Sequence, residues 1–149
     1  MTADYENVRD YIVSAVIAAW QSVGKVYVDR YQEECVVYDE VQLPADHYDT
    51  ALIRLESAEL TDGTVTQDAY LLTWRIGGKF WAGANTANTG SQRVDRVSSL
   101  RYQLLASNTP GDSAYLPQVT MMDVSDDDDS LGDSYVAALT FTCIMELSR

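Results

Sequence analysis

Histidine is nearly missing from this chain: His47 is the single copy in 149 residues. Cysteine and phenylalanine occur twice each, and proline three times. Each shortage excludes something. One histidine cannot build a multi-histidine metal centre, and nothing near it in sequence supplies a nucleophile motif. His47 therefore reads as a surface-loop residue in an acidic turn between Asp46 and Asp49. Cys35 and Cys143 form no CxxC pair and are flanked by strand-like residues, so they read as small buried hydrophobes. No apolar run approaches the roughly 18 residues of a membrane span. The N-terminus has no basic region followed by a continuous apolar stretch, because Asp4, Glu6 and Asp10 interrupt it. The expectation is a soluble protein made in a reducing cytoplasm.

Positive charge is also scarce. Ten Lys and Arg face 23 Asp and Glu, a formal net charge of -13. The bases are scattered, whereas nucleic-acid affinity comes from Lys and Arg displacing counterions at phosphates. Such a balance disfavours DNA binding but is compatible with DNA passing nearby without sticking.

What is abundant is hydrophobic and aromatic. The chain is 46% hydrophobic, with ten tyrosines and three tryptophans. Its length suits one domain, residues 1–149, burying about 68–70% of the unfolded surface without metal or disulfide. Tyr and Trp combine an apolar body with a polar edge, which suits a sheet lining or an assembly interface.

Hydrophobic periodicity predicts an α+β domain. Between Asp4 and Val23 the apolar residues Tyr5, Val8, Ile12, Val16, Ala19 and Val23 recur at helical spacing, with Thr2 or Asp4 as cap and Gly24 as stop. Val13, Ile17 and Trp20 widen the apolar arc to about half the circumference. That flank packs either within its own domain or against another subunit. Strands follow at Lys25–Tyr31, Cys35–Tyr38 and Ala51–Glu59. After the turn signal Thr61-Asp62-Gly63-Thr64 comes Thr66–Ile76, where Tyr70, Leu72, Trp74 and Ile76 share a face. Gly77-Gly78 predicts the end of that strand, with Phe80-Trp81 a short piece beyond it. The stretch 83–91 reads as a flexible polar loop. A second helix is expected over Gln92–Ser107, with Val94, Val97, Leu100 and Leu104 on one face, broken at Asn108-Thr109-Pro110-Gly111. Two final strands, Tyr115–Val124 and Tyr135–Leu147, complete an antiparallel, strongly twisted sheet of about five or six strands with the two helices packed on it.

Six aspartates fall between Asp123 and Asp133, and this acidic segment reads as a hairpin tip in water. Calcium is the first chemistry to test. Starting an EF-hand register at Asp126 puts Leu131 at the glycine position and Ala137 at the glutamate position. Starting at Asp127 puts Leu131 at a ligand position. Neither register works. Adjacent carboxylates about 7 Å apart repel by roughly 0.6 kcal/mol in water, so Asp126, Asp127, Asp128 and Asp129 stay extended and solvated. Arg75-Ile76-Gly77-Gly78-Lys79-Phe80 lacks the spacing and the Ser/Thr of a phosphate loop and reads as a turn. Arg93 and Arg96, one turn apart, favour salt bridges to the chain's own acids or a neighbour's over phosphate.

The order helix, short strand, long hairpin, Gly/Asn/Thr-rich loop, helix and closing hairpin resembles the tail terminator proteins of tailed bacteriophages. The likeness runs through the first helix (YENVRDYIVSAVIAAW), the second (RVDRVSSLRYQLLA) and the last strand (YVAALTFTCIMEL). It implies a structural virion protein of the tail–neck region, without enzymatic activity or cofactor. It implies a homo-oligomeric ring, a hexamer as in most of that family. The ring would cap the tail tube, join it to the neck connector, and meet a sheath protein in a contractile tail. DNA would pass through it unbound, and no membrane is involved. The interface would draw on Val13, Ile17, Trp20, Arg93, Arg96 and Asp126–Asp129. Another neck or tail-completion role is the near alternative. A small-molecule-binding or enzymatic domain, with a pocket lined by Tyr70, Trp74, Phe141 and Met145, is the alternative of a different class.

Overall fold

The structure is a computed structural model that describes residues 2–28, 34–37, 49–63, 67–81, 89–126 and 134–148. Its order is α1 (Thr2–Ala19), β1 (Val23–Val28), β2 (Glu34–Val37), β3 (Asp49–Gly63), β4 (Gln67–Trp81), α2 (Thr89–Leu104), a 3-10 turn (Pro110–Asp112), β5 (Ala114–Asp126) and β6 (Ser134–Ser148). The six strands form one sheet in the order β2-β1-β3-β4-β6-β5. The α+β class is as expected. The sheet is mixed, however: β1 runs parallel to β3, while every other pairing is antiparallel. Alternation reports that a strand has one buried face and says nothing of its neighbour's direction, so the antiparallel expectation is corrected here.

Both helices lie against one face of the sheet. That face carries the alternating residues Ala51 and Ile53 of β3, Leu72, Trp74, Ile76 and Phe80 of β4, and Tyr135 through Met145 of β6, all buried. Val8, Ile12 and Val16 of α1 close over them, and α1 also packs along α2 and the 3-10 turn. The wide apolar arc of α1 thus meets two surfaces within its own chain. On α2, Val97, Leu100 and Leu104 are buried, but Val94, expected on the same face, is 60% exposed.

Two boundaries differ from expectation for physical reasons. α1 ends at Ala19 rather than near Gly24: the Val23 amide donates to the Trp20 carbonyl across a tight turn, and Gly24 lies inside β1. Gly77-Gly78 does not end β4, which runs unbroken to Trp81. Gly78 pairs with Ala51 on one side and Ala137 on the other, so three small residues form a hollow on the helix face. Trp20 fills it. A Cβ on Gly78 would stand 2.7 Å from the Trp20 ring and 2.6 Å from the Phe80 ring. Glycine is there for close approach, not for a turn.

Tyr11 fastens the helices together. Its hydroxyl donates to the Leu104 carbonyl (2.9 Å) at the C-terminus of α2 and accepts from the Ser107 amide (3.3 Å). Carbonyls in a helix's last turn have no partner within the helix, so this phenol supplies one. Gly111, at φ 64°, then lets the chain pass under α1, where a side chain would press on the Asn7 carbonyl.

Candidate functional site

A buried carboxylate, Asp49, stands at the first position of β3 and is 5% exposed. Its carboxylate accepts from the Ser22 hydroxyl and from the Trp81 amide (2.9 Å), and stands 3.7 Å from the Arg96 guanidinium. Those contacts tie the α1–β1 turn, the end of β4 and the helix α2 to one buried carboxylate. Arg96 is held from three further directions. Its Nε faces the Tyr135 hydroxyl at 3.4 Å, its guanidinium lies 4.3 Å above the Phe80 ring, and its carbonyl accepts from the Trp20 indole (2.9 Å). Arg93 lies 5.0 Å over the Tyr135 ring. The ion pair expected for Arg96 is therefore made within the chain. Its partner escaped sequence reading because Asp49 sits beside a polar loop and carries no sign of burial.

Beside this node, Ala19, Trp81, Gln92, Asp95, Arg96 and Ser99 line an open cleft of about 350 Å³. It holds Trp81 at 42% exposure next to Asp95 and Arg96. At the opposite end of the sheet, Thr61, Asp62, Gln67, Tyr115, Leu116 and Glu146 border a groove of about 260 Å³. The Tyr115 hydroxyl donates to the Glu146 carboxylate at 3.0 Å, and that bond, with the nearby acidic charge, raises its pKa. Leu116 has a positive φ of 52° and is 59% exposed, at a point where the β5–β6 register shifts. A bulge of this kind re-aims a side chain outward.

The residues of the expected interface scatter. Val13 (8% exposed) and Trp20 (1%) belong to the chain's own core, so for these two the subunit-contact expectation is corrected; Ile17 is half-buried. Asp126 closes β5, with its backbone paired to Tyr135. Asp127, Asp128 and Asp129 lie outside the described residues, as do His47 and positions 83–88 of the polar stretch; positions 89–91 begin α2. Among the described residues no His, Cys, Asp and Glu group has a metal-binding arrangement. No helix among them is long and apolar enough to cross a membrane.

Of the residues named for a small-molecule pocket, Tyr70 is half-buried and the other three lie in the core. Trp74, Phe141 and Met145 are fully buried in the core, and Tyr5 stacks on Trp74 at 5.5 Å. The Trp74 indole N–H is buried and has no acceptor among the described residues. Cys143 is free and buried, and burial pushes its thiol up to about 12. Cys35 stands four strands away in β2, on the order of 19 Å at the usual strand spacing, far beyond disulfide reach.

Among the described residues, β2 and β5 are the outermost strands of the sheet. β5 is 13 residues long and exposes Leu116 (59%), Met121 (48%) and Met122 (50%). Pro117, two register shifts and Asp123 blunt this edge as natural sheets do, while Met121 and Met122 leave apolar surface on it.

No protein-family model matches the chain, and the comparison with curated proteins gave no match. Among solved structures, a chain from the virion of a native gene transfer agent particle is similar. The TM-score is 0.50 and the identity 13%, over 98% of this chain and 93% of the other. At that identity the likeness is one of fold.

Proposed function

We propose that this protein is a non-enzymatic structural component of a phage-like virion, and within it a tail terminator. In this reading six copies form a ring that caps the tail tube and joins it to the neck connector. The observation that carries the reading is the end-to-end fold likeness, covering 98% of this chain and 93% of a chain from a gene transfer agent virion. Two features support it. The outer strands β2 and β5 give each copy two different sides, and a head-to-tail contact between unlike surfaces closes into a ring when the rotation per step allows. The net charge of -13 suits a channel through which DNA passes without being held.

Native mass spectrometry and negative-stain microscopy of the purified full chain test it. A six-fold ring, and arrest of tail-tube elongation when the protein is added to polymerising tube subunits, are the expected results. Rings that leave elongation unchanged would move the protein to another neck or completion role. A strict monomer at every concentration, alone and with tube protein, would overturn the structural reading.

A further inference from the structure

The sheet face opposite the helices is divided by charge. Register places Arg54 directly beside Arg75, and Thr50 beside Lys79, all on that face. Cross-strand arginines repel, so the fold itself gains nothing from this pairing. Arg54 has one local partner, Glu56 at 3.3 Å, whereas Arg75 has no ion pair among the described residues. Further along the same strands the sign reverses. Glu59 pairs with Leu71, and the next row on that face is Asp62–Ala69–Glu146. Glu59, Asp62 and Glu146 are all exposed. The arginine row and the Glu59 row stand about 13 Å apart, four residues along β4. Between them lies the row Ser57–Thr73–Thr142, small and uncharged. Asp123, on the edge strand two strands from Gly77, is the remaining acid that register puts beside the basic half.

We propose that this face is a two-fold interface with a second copy of the chain. Both charge halves lie on one face, so a head-to-tail contact would leave one half of each copy unmatched. A two-fold axis crossing the strands at the Ser57–Thr73–Thr142 row reverses the strand direction of the second copy. It lays the Arg54–Arg75 row over the other copy's Glu59–Leu71 row, with Lys79 one row beyond the point that faces its Asp62–Glu146 row. Each match occurs twice by symmetry. Half-buried Leu71 and Ile144 flank the axis and lose their remaining water. Three 15-residue strands offer about 50 by 14 Å, roughly 700 Å² per copy, close to the 800 Å² or so of a stable interface. The contact uses neither sheet edge, so it goes beyond the ring and does not depend on it. In a ring-forming protein it would join two rings back to back.

The test uses two charge-reversed full-length proteins. One reverses the arginine row (Arg54→Glu, Arg75→Glu); the other reverses two acids of the acidic half (Glu59→Lys, Asp62→Lys). Circular dichroism checks that both fold, and differently labelled samples are followed by fluorescence energy transfer and sedimentation. Each variant alone should self-associate through this contact at least a hundredfold more weakly than the natural chain, and an equimolar mixture should recover association at 1:1 stoichiometry. Wild-type association should weaken as salt rises. Failure of the mixture to recover would overturn the proposal, and so would unchanged association of either variant alone. A six-fold ring that the natural chain forms with no pairing of rings would keep the ring reading while removing this one.

Discussion

Gly77 and Gly78 are adjacent in sequence and opposite in consequence. A Cβ on Gly77 would have its nearest neighbours at 3.9 Å, an ordinary contact, whereas one on Gly78 meets Phe80 and Trp20 at 2.6 and 2.7 Å. Gly77→Ala should be neutral or stabilise by up to about 1 kcal/mol. Gly78→Ala should cost about 1–3 kcal/mol through overpacking. Paired urea melts would show the contrast, and equal effects would contradict the Trp20 seat. Two buried acids bear on pH. Burial raises the pKa of Tyr11 above its ordinary 10.0, against a smaller lowering from the Ser107 amide, and pushes Cys143 from 9.0 to about 12. Both hold their protons more tightly folded than unfolded. Their contribution is therefore complete below the unfolded values and lost as pH rises through the folded ones. Denaturation midpoints should fall steadily from about pH 9 upward, and less steeply in Cys143→Ala. A flat profile to about pH 11 would refute this.

At the scale of elements, Asp49 holds together pieces that the backbone ladder does not. Ser22 precedes β1, Trp81 ends β4 and Arg96 belongs to α2; all three meet one carboxylate. Asp49→Ala should cost about 3 kcal/mol, the low end for breaking a buried ion pair. The low end applies because the Arg96 side chain keeps 25% of its surface in water. Hydrogen exchange should show α2 and the end of β4 loosening together. Loosening confined to the first turn of β3 would mean that the node does not couple them.

For the whole molecule, covering and exposure decide which surfaces are available to a partner. One sheet face is closed by helices, the other is divided by charge, and among the described residues β2 and β5 are the outer strands. A protein so built has three surfaces to satisfy, which is the condition of a part in an assembly. The proposed ring would use the edges and the proposed two-fold contact the face. A titration that removes one and leaves the other would separate them.

Local pattern was enough for much of this. The 3.6-residue repeat around Val8, Ile12 and Val16 gave α1, and the strict alternation from Tyr135 to Leu147 gave β6, because each period follows from backbone geometry within a few residues. The α+β class and the core face followed. The strand order, the parallel β1–β3 pairing, the burial of Asp49 and the reason for Gly78 came only with the tertiary structure. So did the placement of Trp20 in the core and the gathering of Arg54 and Arg75 into one row. All of these depend on residues tens of positions apart becoming neighbours, and a side chain's charge or size carries no mark of the neighbour it will meet.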